Sequence, residues 1–287
     1  MSVFLDLFEN TLEKTLSLDV FNRAYYQLTR IGSREHFFGN CLKVLDISYQ
    51  VTDTDLEKIP KTGPLVVVAN HPFGGTEGVI LGNLMDTIRS DVKILGNYLL
   101  QHIPEISDRI IPVNPFDTQR SPAANMKGLR EAVKWVKSGG AIIIFPAGEV
   151  SHLRFHQIGI RDSEWSSHIA AMIRHSQAAA LPVFFPGRNS LLFQMMGLLH
   201  PIFRTAMLPR ELVNKRHRKI QVCIGNPVSW NKLRQFGTDK AVIGYLRAIT
   251  YFLGNRNTRK NCFSEDEFFY PICTEHDSHN SLSSPQC

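Results

Sequence analysis

The 287-residue sequence has no run of about 18 consecutive apolar residues, the length that a membrane-spanning helix requires. Its first residues, MSVFLDLFENTLEKT, include acids at Asp6 and Glu9 and lack a basic leading stretch, so we expect no secretory signal. The five cysteines are odd in number and form no CxxC pair, which favours reduced thiols in the cytosol. A hydrophobic fraction of 43% with 20% charged residues is typical of a folded domain rather than a disordered chain.

Basic residues are absent from residues 261–287, which carry five of the 26 acids. The body of the chain, residues 1–260, therefore holds 32 basic and 21 acidic residues, a net charge of +11. Such a body attracts phosphates, whether on nucleic acid, anionic lipid or a phosphorylated substrate. Charge alone does not choose among these partners.

Several well-known catalytic signatures are also missing. The sequence contains no GxSxG elbow, no GxxxxGK[ST] phosphate loop, no GxGxxG fingerprint and no HExxH zinc pair. His276 and His279 stand in the acidic end without further ligands, so we expect no bound metal. The basic run 215–219 lacks interleaved aromatic residues, and we therefore expect no nucleic-acid partner.

The hydrophobic pattern divides the chain into three regions. Residues 1–48 predict amphipathic helices, which either pack on the main domain or also rest on a bilayer. Residues 49–255 alternate short apolar runs with helical segments, and residues 256–287 predict an acidic, flexible tail. The predicted strands are 65–69, 92–95, 110–113, 141–145, 181–185 and 220–224, and the predicted helices are 77–89, 126–138 and 166–177. The expected fold is α/β, a mostly parallel central sheet flanked by helices, with chemistry in the loops beyond the carboxyl ends of the strands.

The first such loop, residues 70–77, reads NHPFGGTE and follows a predicted buried strand. Gly74 and Gly75 allow a tight turn, and Thr76 is a candidate N-cap that places Glu77 in the first helical turn. A carboxylate there is stabilised by the helix dipole and can orient the imidazole of His71, whose other nitrogen then acts as a base. The pair suits an enzyme whose nucleophile arrives with the substrate. The alternative is an ordinary loop histidine beside a first-turn acid.

The second loop, residues 146–151, reads PAGEVS. It brings Glu149 and Ser151 together with Arg154, a natural bidentate partner for phosphate, and all three are candidate substrate-binding residues. Glu149 either orients that arginine or binds an acceptor hydroxyl or amine. A Glu–Arg pair that only supports the fold is equally compatible with the pattern.

The third loop, residues 186–190, carries Arg188 and Asn189. The next segment, LLFQMMGLLHPIF at 191–203, is apolar and Met-rich, and it predicts an acyl-chain channel, a segment that dips into lipid, or a plain core helix. The basic run 215–219 is either a solvated turn or a contact with an anionic membrane.

These three loops resemble motifs of the glycerolipid (lysophospholipid) acyltransferase superfamily. VANHPFGGTEG, FPAGEVS and LPVFFPGRNSLLF are most similar to the branch of haemolysin-like proteins and ornithine-lipid O-acyltransferases. The resemblance implies that His71 is the catalytic base and Glu77 its charged partner. It also implies that Glu149, Arg188 and Asn189 lie near the acceptor and acyl sites. From their place at the helix start, we expect the backbone N–H groups around Gly74 and Gly75 to stabilise the oxyanion.

The sequence departs from the superfamily pattern at two places. The common first motif is HX4D, whereas here the acid is Glu77 and the gap is one residue longer. In the second motif Ala147 and Val150 replace the usual Glu and Arg, which leaves Arg154 as the substitute for a phosphate-binding arginine. This departure argues against an acceptor that bears a phosphate, and it is compatible with an amino-acid lipid as the acceptor.

The resemblance implies an acyltransferase that moves a fatty acyl group from acyl-carrier protein or coenzyme A to the hydroxyl of a lyso-lipid. Either lysophosphatidate or a lyso-ornithine-type lipid fits as acceptor. The expected enzyme needs no cofactor or metal, and it binds the cytosolic face of an anionic membrane peripherally. The alternative is a membrane-binding protein whose acyltransferase site has decayed.

Overall fold

A computed structural model describes residues 17–32, 34–113, 122–154 and 159–260 of the protein. Helices α1 (Leu18–Ile31) and α2 (Phe37–Val44) are followed by strand β1 (Ile47–Gln50) and helix α3 (Asp53–Leu56). Then come β2 (Leu65–Ala69), α4 (Thr76–Asp86), β3 (Val92–Asn97), the 3-10 turns Tyr98–His102 and Ser107–Arg109, β4 (Ile110–Val113), α5 (Pro122–Lys137), β5 (Ala141–Ile144), α6 (Ser167–Ser176) and β6 (Ala179–Phe184). The last elements are α7 (Leu191–Leu199), α8 (Pro201–Ala206), α9 (Leu208–Val213), β7 (Arg218–Gln221), β8 (Cys223–Ile224), α10 (Trp230–Leu233), a 3-10 turn (Arg234–Phe236) and α11 (Asp239–Lys260).

The main sheet has six strands in the order β4-β3-β5-β2-β6-β8. All neighbouring strands are parallel except β8, which runs antiparallel to β6. A parallel sheet covered on both faces explains why β2, at its centre, is apolar and fully buried at every position. The predicted α/β fold with a mostly parallel sheet is confirmed.

Helices cover both faces of this sheet. On one face Val67 and Ile143 pack in a cluster with the core-facing sides of α2 and α4. On the other face Val66 and Ile142 pack with residues of α5, α6 and α11. Alternate residues of one strand therefore enter different cores, as the two-residue period of a strand requires.

Three sequence predictions differ from the structure in detail. The predicted strand 220–224 is two strands, because β7 pairs with β1 in a separate small sheet whereas β8 pairs with β6. The predicted helix 77–89 ends at Asp86, and the Arg89 guanidinium instead binds Asp91 and three backbone carbonyls. The helix begins at Thr76 with Gly75 in the capping position, so the prediction of Thr76 as N-cap is wrong.

The two N-terminal helices differ in how they pack. Phe38 of α2 lies so close to Gly82 of α4 that a Cβ on the glycine would meet the phenylalanine ring at 2.5 Å. Helix α1 buries Leu28 but leaves Tyr26 and Ile31 exposed. Residues 1–16 and 261–287, which include most of the predicted acidic tail, lie outside the described residues. In the described part of the chain, no helix combines the length and apolar character needed to cross a membrane.

Candidate active site

His71 lies directly beyond the carboxyl end of β2, and its backbone is fixed from two sides. Its N–H donates to Asp162 Oδ1 at 3.1 Å, and its carbonyl accepts from the Ser151 N–H at 2.8 Å. The imidazole stacks on Phe145 at the end of β5, with the ring centroids 4.1 Å apart. The side chain nevertheless keeps 15% of its surface exposed, so the ring is held rigidly and can still meet a substrate.

Glu77 faces the imidazole from the first turn of α4 and is completely buried. Its Oε1 atom lies 3.6 Å from His71 Nδ1, slightly beyond hydrogen-bond distance, and Nδ1 has no other partner among the described residues. The same oxygen accepts the backbone N–H groups of Phe73 at 2.5 Å and Gly74 at 3.3 Å. These donors and the helix N-terminus stabilise a negative charge on Glu77. Because catalytic hydrogen bonds often tighten only when substrate binds, the geometry suits a carboxylate that orients a histidine base.

The two glycines of this loop have different partners. The Gly74 N–H is engaged by Glu77, whereas the Gly75 N–H has no acceptor within the described ranges. A Cβ on Gly74, which has φ of 104°, would approach Leu208 to 2.6 Å. Only Gly75 is therefore free in this structure to donate to an oxyanion, and that role stays a prediction for both residues.

Lys215 occupies a place that the sequence did not indicate. The basic run 215–219 was predicted as a solvated turn or membrane contact, but its first residue is buried and the prediction is wrong for Lys215. The ammonium donates to Asn189 Oδ1 at 2.9 Å and to Glu211 Oε2 at 3.4 Å, and it lies 4.9 Å from the centre of the Phe73 ring. Burial lowers the pKa of Lys215, while the charges of Glu211 and Glu77 oppose that shift. Lys215 thus supplies a buried positive charge next to Phe73 of the first loop.

Asn189 joins the third loop to the first. Its Nδ2 donates to the Phe73 carbonyl at 3.1 Å, and its side chain is buried. Gly187 supports this junction, because a Cβ on it would meet the Phe73 ring at 2.6 Å. Arg188, by contrast, is exposed and has no hydrogen bond or ion pair within the described part of the chain. Of the two residues predicted near the substrate, Asn189 holds the loops together and Arg188 faces solvent.

Glu149 in the second loop binds two arginines. Its Oε1 accepts from Arg154 at 2.5 Å and its Oε2 from Arg204 of α8 at 2.7 Å. The neighbouring His152 is buried, and its Nδ1 contacts the Val150 carbonyl at 3.0 Å. Burial lowers the pKa of His152, so this histidine is neutral near pH 7. Arg154, predicted as a phosphate ligand, is thus already paired with a carboxylate.

Ser151, a candidate substrate-binding residue of the second loop, makes its side-chain hydrogen bond within the protein. Its hydroxyl is buried and donates to Asp162. Asp162 is itself fully buried, and it also accepts the Trp165 indole N–H at 2.9 Å. Because one carboxylate binds both Ser151 and the backbone of His71, Asp162 fixes the first two loops relative to each other.

The charge on Glu149 should make stability depend on pH. Burial raises the pKa of Glu149, but the Ser163 hydroxyl and the charges of Arg204 and Arg154 outweigh it, so the pKa lies below the ordinary 4.5. The stabilisation is therefore complete above pH 4.5 and is lost as the pH falls through the folded-state pKa. We expect Glu149→Gln to be less stable than the wild type at pH 7, with a difference that shrinks in acid. Urea unfolding across this range measures the difference.

The matched control is Glu164→Gln, which replaces an exposed acid fifteen positions along the chain. We expect its stability difference from the wild type to stay small throughout the same pH range. A Glu149→Gln difference that remained constant from neutral to acidic pH would contradict the assignment of Glu149 as the stabilising carboxylate.

The sequence analysis assigned no role in the site to four residues that the structure places there: Asp162, Arg204, Glu211 and Lys215. Glu211, for example, is buried and accepts both the hydroxyl and the backbone N–H of Ser190. Lys215 stands in the basic run 215–219, the other three lie outside the three loop motifs, and each of the four meets its partner only in the folded chain. For Arg204 the available signal was a base inside the apolar stretch PIFRTAM, whereas the other three have charged neighbours in the sequence and gave no such signal. Among the described residues no three His, Cys, Asp or Glu side chains are grouped to hold a metal.

Comparison with known proteins identifies the family. A family model described as Acyltransferase matches residues 8–259. A lyso-glycine lipid O-acyltransferase of Bacteroides thetaiotaomicron is 31% identical over 225 residues, which cover 76% of this chain and 79% of the relative. A second protein of that name, from Phocaeicola vulgatus, is 28% identical over 228 residues, covering 76% of this chain and 77% of the relative.

A solved structure has the same fold. The 1-acyl-sn-glycerophosphate (LPA) acyltransferase PlsC from Thermotoga maritima superposes with a TM-score of 0.51 at 16% identity, over 88% of this chain and 93% of that one. At this identity the likeness concerns the fold alone. The family match extends over nearly the whole described chain and includes all three loops, which confirms the resemblance seen in the sequence. The chain belongs to the acyltransferase family, within the lysophospholipid acyltransferase superfamily, and is an acyltransferase enzyme.

Proposed function

We propose that this acyltransferase moves a fatty acyl group from a thioester, on acyl-carrier protein or coenzyme A, to the free hydroxyl of a lyso-lipid. The observation that carries the proposal is the pairing of His71 with the buried Glu77 at the carboxyl edge of the sheet. A base with an orienting carboxylate, in a family that transfers acyl groups, activates a hydroxyl supplied by the acceptor. The intact pair argues against a decayed site.

The chemistry follows from the two ring nitrogens of His71. Nδ1 faces Glu77, so Nε2 takes the proton as the acceptor oxygen attacks the thioester carbonyl. A new C–O bond forms, the C–S bond then breaks, and the imidazolium returns its proton to the departing sulfur. In this proposal Glu77 stabilises the transient imidazolium, and the Gly75 N–H, which has no acceptor among the described residues, donates to the oxyanion. No covalent enzyme intermediate is required.

The acceptor we favour is an amino-acid lyso-lipid rather than lysophosphatidate. Two relatives that each align with three quarters of the chain are named lyso-glycine lipid O-acyltransferases. The second loop supports the same choice, because the position of the family's usual arginine holds Val150 and the nearby Arg154 is paired with Glu149. We further propose that the enzyme works at the cytosolic face of an anionic membrane.

The test is transfer of labelled palmitate from acyl-carrier protein and from coenzyme A to three acceptors in parallel. These are lyso-glycine lipid, lyso-ornithine lipid and lysophosphatidate. We expect product on at least one amino-acid acceptor and at least about tenfold less product on lysophosphatidate. The reason is that the phosphate group of lysophosphatidate would enter a site where Arg154 is already paired with Glu149. Product on lysophosphatidate alone would overturn the acceptor. No product from folded protein on any donor–acceptor pair would overturn the reaction.

A further inference from the structure

Helices α7 and α8 expose an unusual amount of apolar surface. Six side chains form what we call the α7–α8 face: Leu191, Leu192, Met195, Leu199, Ile202 and Phe203. Leu199 is 71% exposed and Ile202 67%. In α7 the residues Leu191, Met195 and Leu199 are four apart and therefore lie along one side of the helix. Large apolar side chains grouped in this way, rather than scattered singly, mark an interaction surface.

The opposite side of α7 is firmly attached to the protein. Phe193 is fully buried against Val150 and Met207, and Gln194 accepts the Leu153 N–H at 2.8 Å. Ser190 caps the helix by accepting the Phe193 N–H. The exposed residues therefore stand on a helix whose inner side is buried, and their exposure is not the result of a loosely attached segment.

The α7–α8 face adjoins the active site. Arg204 of α8 binds Glu149 in the second loop, and Leu208 at the start of α9 packs on Gly74 in the first. A second exposed apolar group, Tyr98 to Leu100, follows β3. The first and second loops follow β2 and β5, the two central strands of the sheet. The group at Tyr98 follows β3 on one side of these strands, and α7 follows β6 on the other side. The two exposed apolar groups therefore lie on either side of the catalytic loops. Both belong to the carboxyl edge of the parallel strands.

The charges around this face suit an anionic partner. No Asp or Glu occurs between Glu164 and Glu211, whereas Arg188 is exposed just before α7. Helices α7 and α8 carry no acid themselves, and apolar side chains on such helices beside a basic residue are typical of surfaces that insert into the headgroup region of a bilayer.

We propose that the α7–α8 face is the membrane-docking surface of the enzyme, with an anionic lipid bilayer as its partner. The inference rests on the proposed lyso-lipid reaction and specifies how that reaction meets its substrate. The face inserts between lipid headgroups beside the catalytic loops, and the acceptor hydroxyl reaches His71 while the acyl chain of the lyso-lipid stays in the bilayer.

The experiment measures co-sedimentation of the full chain with vesicles of phosphatidylglycerol and phosphatidylcholine. The test variant is Leu199→Glu/Ile202→Glu, which places two carboxylates on the α7–α8 face. A control for an added carboxylate elsewhere is Phe252→Glu, because Phe252 is also 67% exposed but lies on α11, which packs with α5 and α6. We expect the test variant to lose vesicle binding at least about tenfold and the control to bind as the wild type does.

A second readout separates docking from catalysis. With a short-chain lyso-lipid presented as dissolved monomers, the test variant should turn over at the wild-type rate, and with the acceptor embedded in vesicles it should be at least about tenfold slower. Vesicle binding by the test variant equal to that of the wild type would overturn the proposal. So would vesicle-free self-association of the wild type that the two substitutions abolish, because the face would then bind a second copy. If no acceptor is turned over, the proposed reaction fails, and the vesicle measurement still decides the docking surface.

Discussion

His71→Ala is expected to lose acyl transfer by a factor of about 10² to 10⁴, the usual contribution of a positioned general base. The reason is that the acceptor hydroxyl would then have to lose its proton to water as it attacks the thioester. His71→Gln should lose a similar factor, since an amide of comparable size cannot accept the proton at neutral pH. The loss should appear in kcat, because the base acts in the transition state and adds little to ground-state binding.

Two controls test whether the loss of activity comes from misfolding or from removing any histidine. The imidazole stacks on Phe145, so its removal leaves a gap that glutamine partly fills. Urea unfolding should therefore show at most a modest loss for His71→Gln. His168→Ala changes an exposed histidine on α6 and should retain full activity. Turnover retained by folded His71→Gln would exclude His71 as the base.

Lys215→Met is expected to cost stability of about 3 to 5 kcal/mol, the usual penalty for removing one member of a buried ion pair. The substitution keeps an apolar stem of similar length but leaves Glu211 without its ammonium partner. It also removes the donor to Asn189, the residue that holds the Phe73 carbonyl and with it the first loop. The midpoint and slope of urea unfolding measure the loss.

A double variant separates the structural effect of Lys215 from its effect on the site. In Lys215→Met/Glu211→Gln the unpaired carboxylate is gone, and we expect much of the lost stability to return. Activity should stay low, through kcat rather than KM, because Glu77 still lacks the positive charge nearby and Asn189 is still unsupported. Recovery of activity in proportion to stability would mean that Lys215 only supports the fold. Unchanged stability in the single variant would contradict the buried pairing itself.

The local patterns of the sequence determined the fold class and indicated which loops carry the candidate catalytic residues. Solid apolar runs indicated strands buried on both faces, and the glycine- and proline-containing turns after them marked the loops at the carboxyl edge. His71 and Glu77 could be paired in advance because the loop between them is short and closes at a helix start. Fold and family were both predicted correctly, and the roles of the individual site residues stay predictions.

Only the tertiary structure determined which residues far apart along the chain contact each other. Lys215 was predicted as part of an exposed basic run, yet it is buried against Asn189. Ser151 was a candidate substrate-binding residue, and its hydroxyl donates to Asp162. Arg204 reaches Glu149 across 55 positions. A strand or a turn follows from interactions among neighbouring residues, which a single sequence displays as a period or a motif. The partner of a buried charge depends on how whole elements pack, and no local pattern encodes that choice.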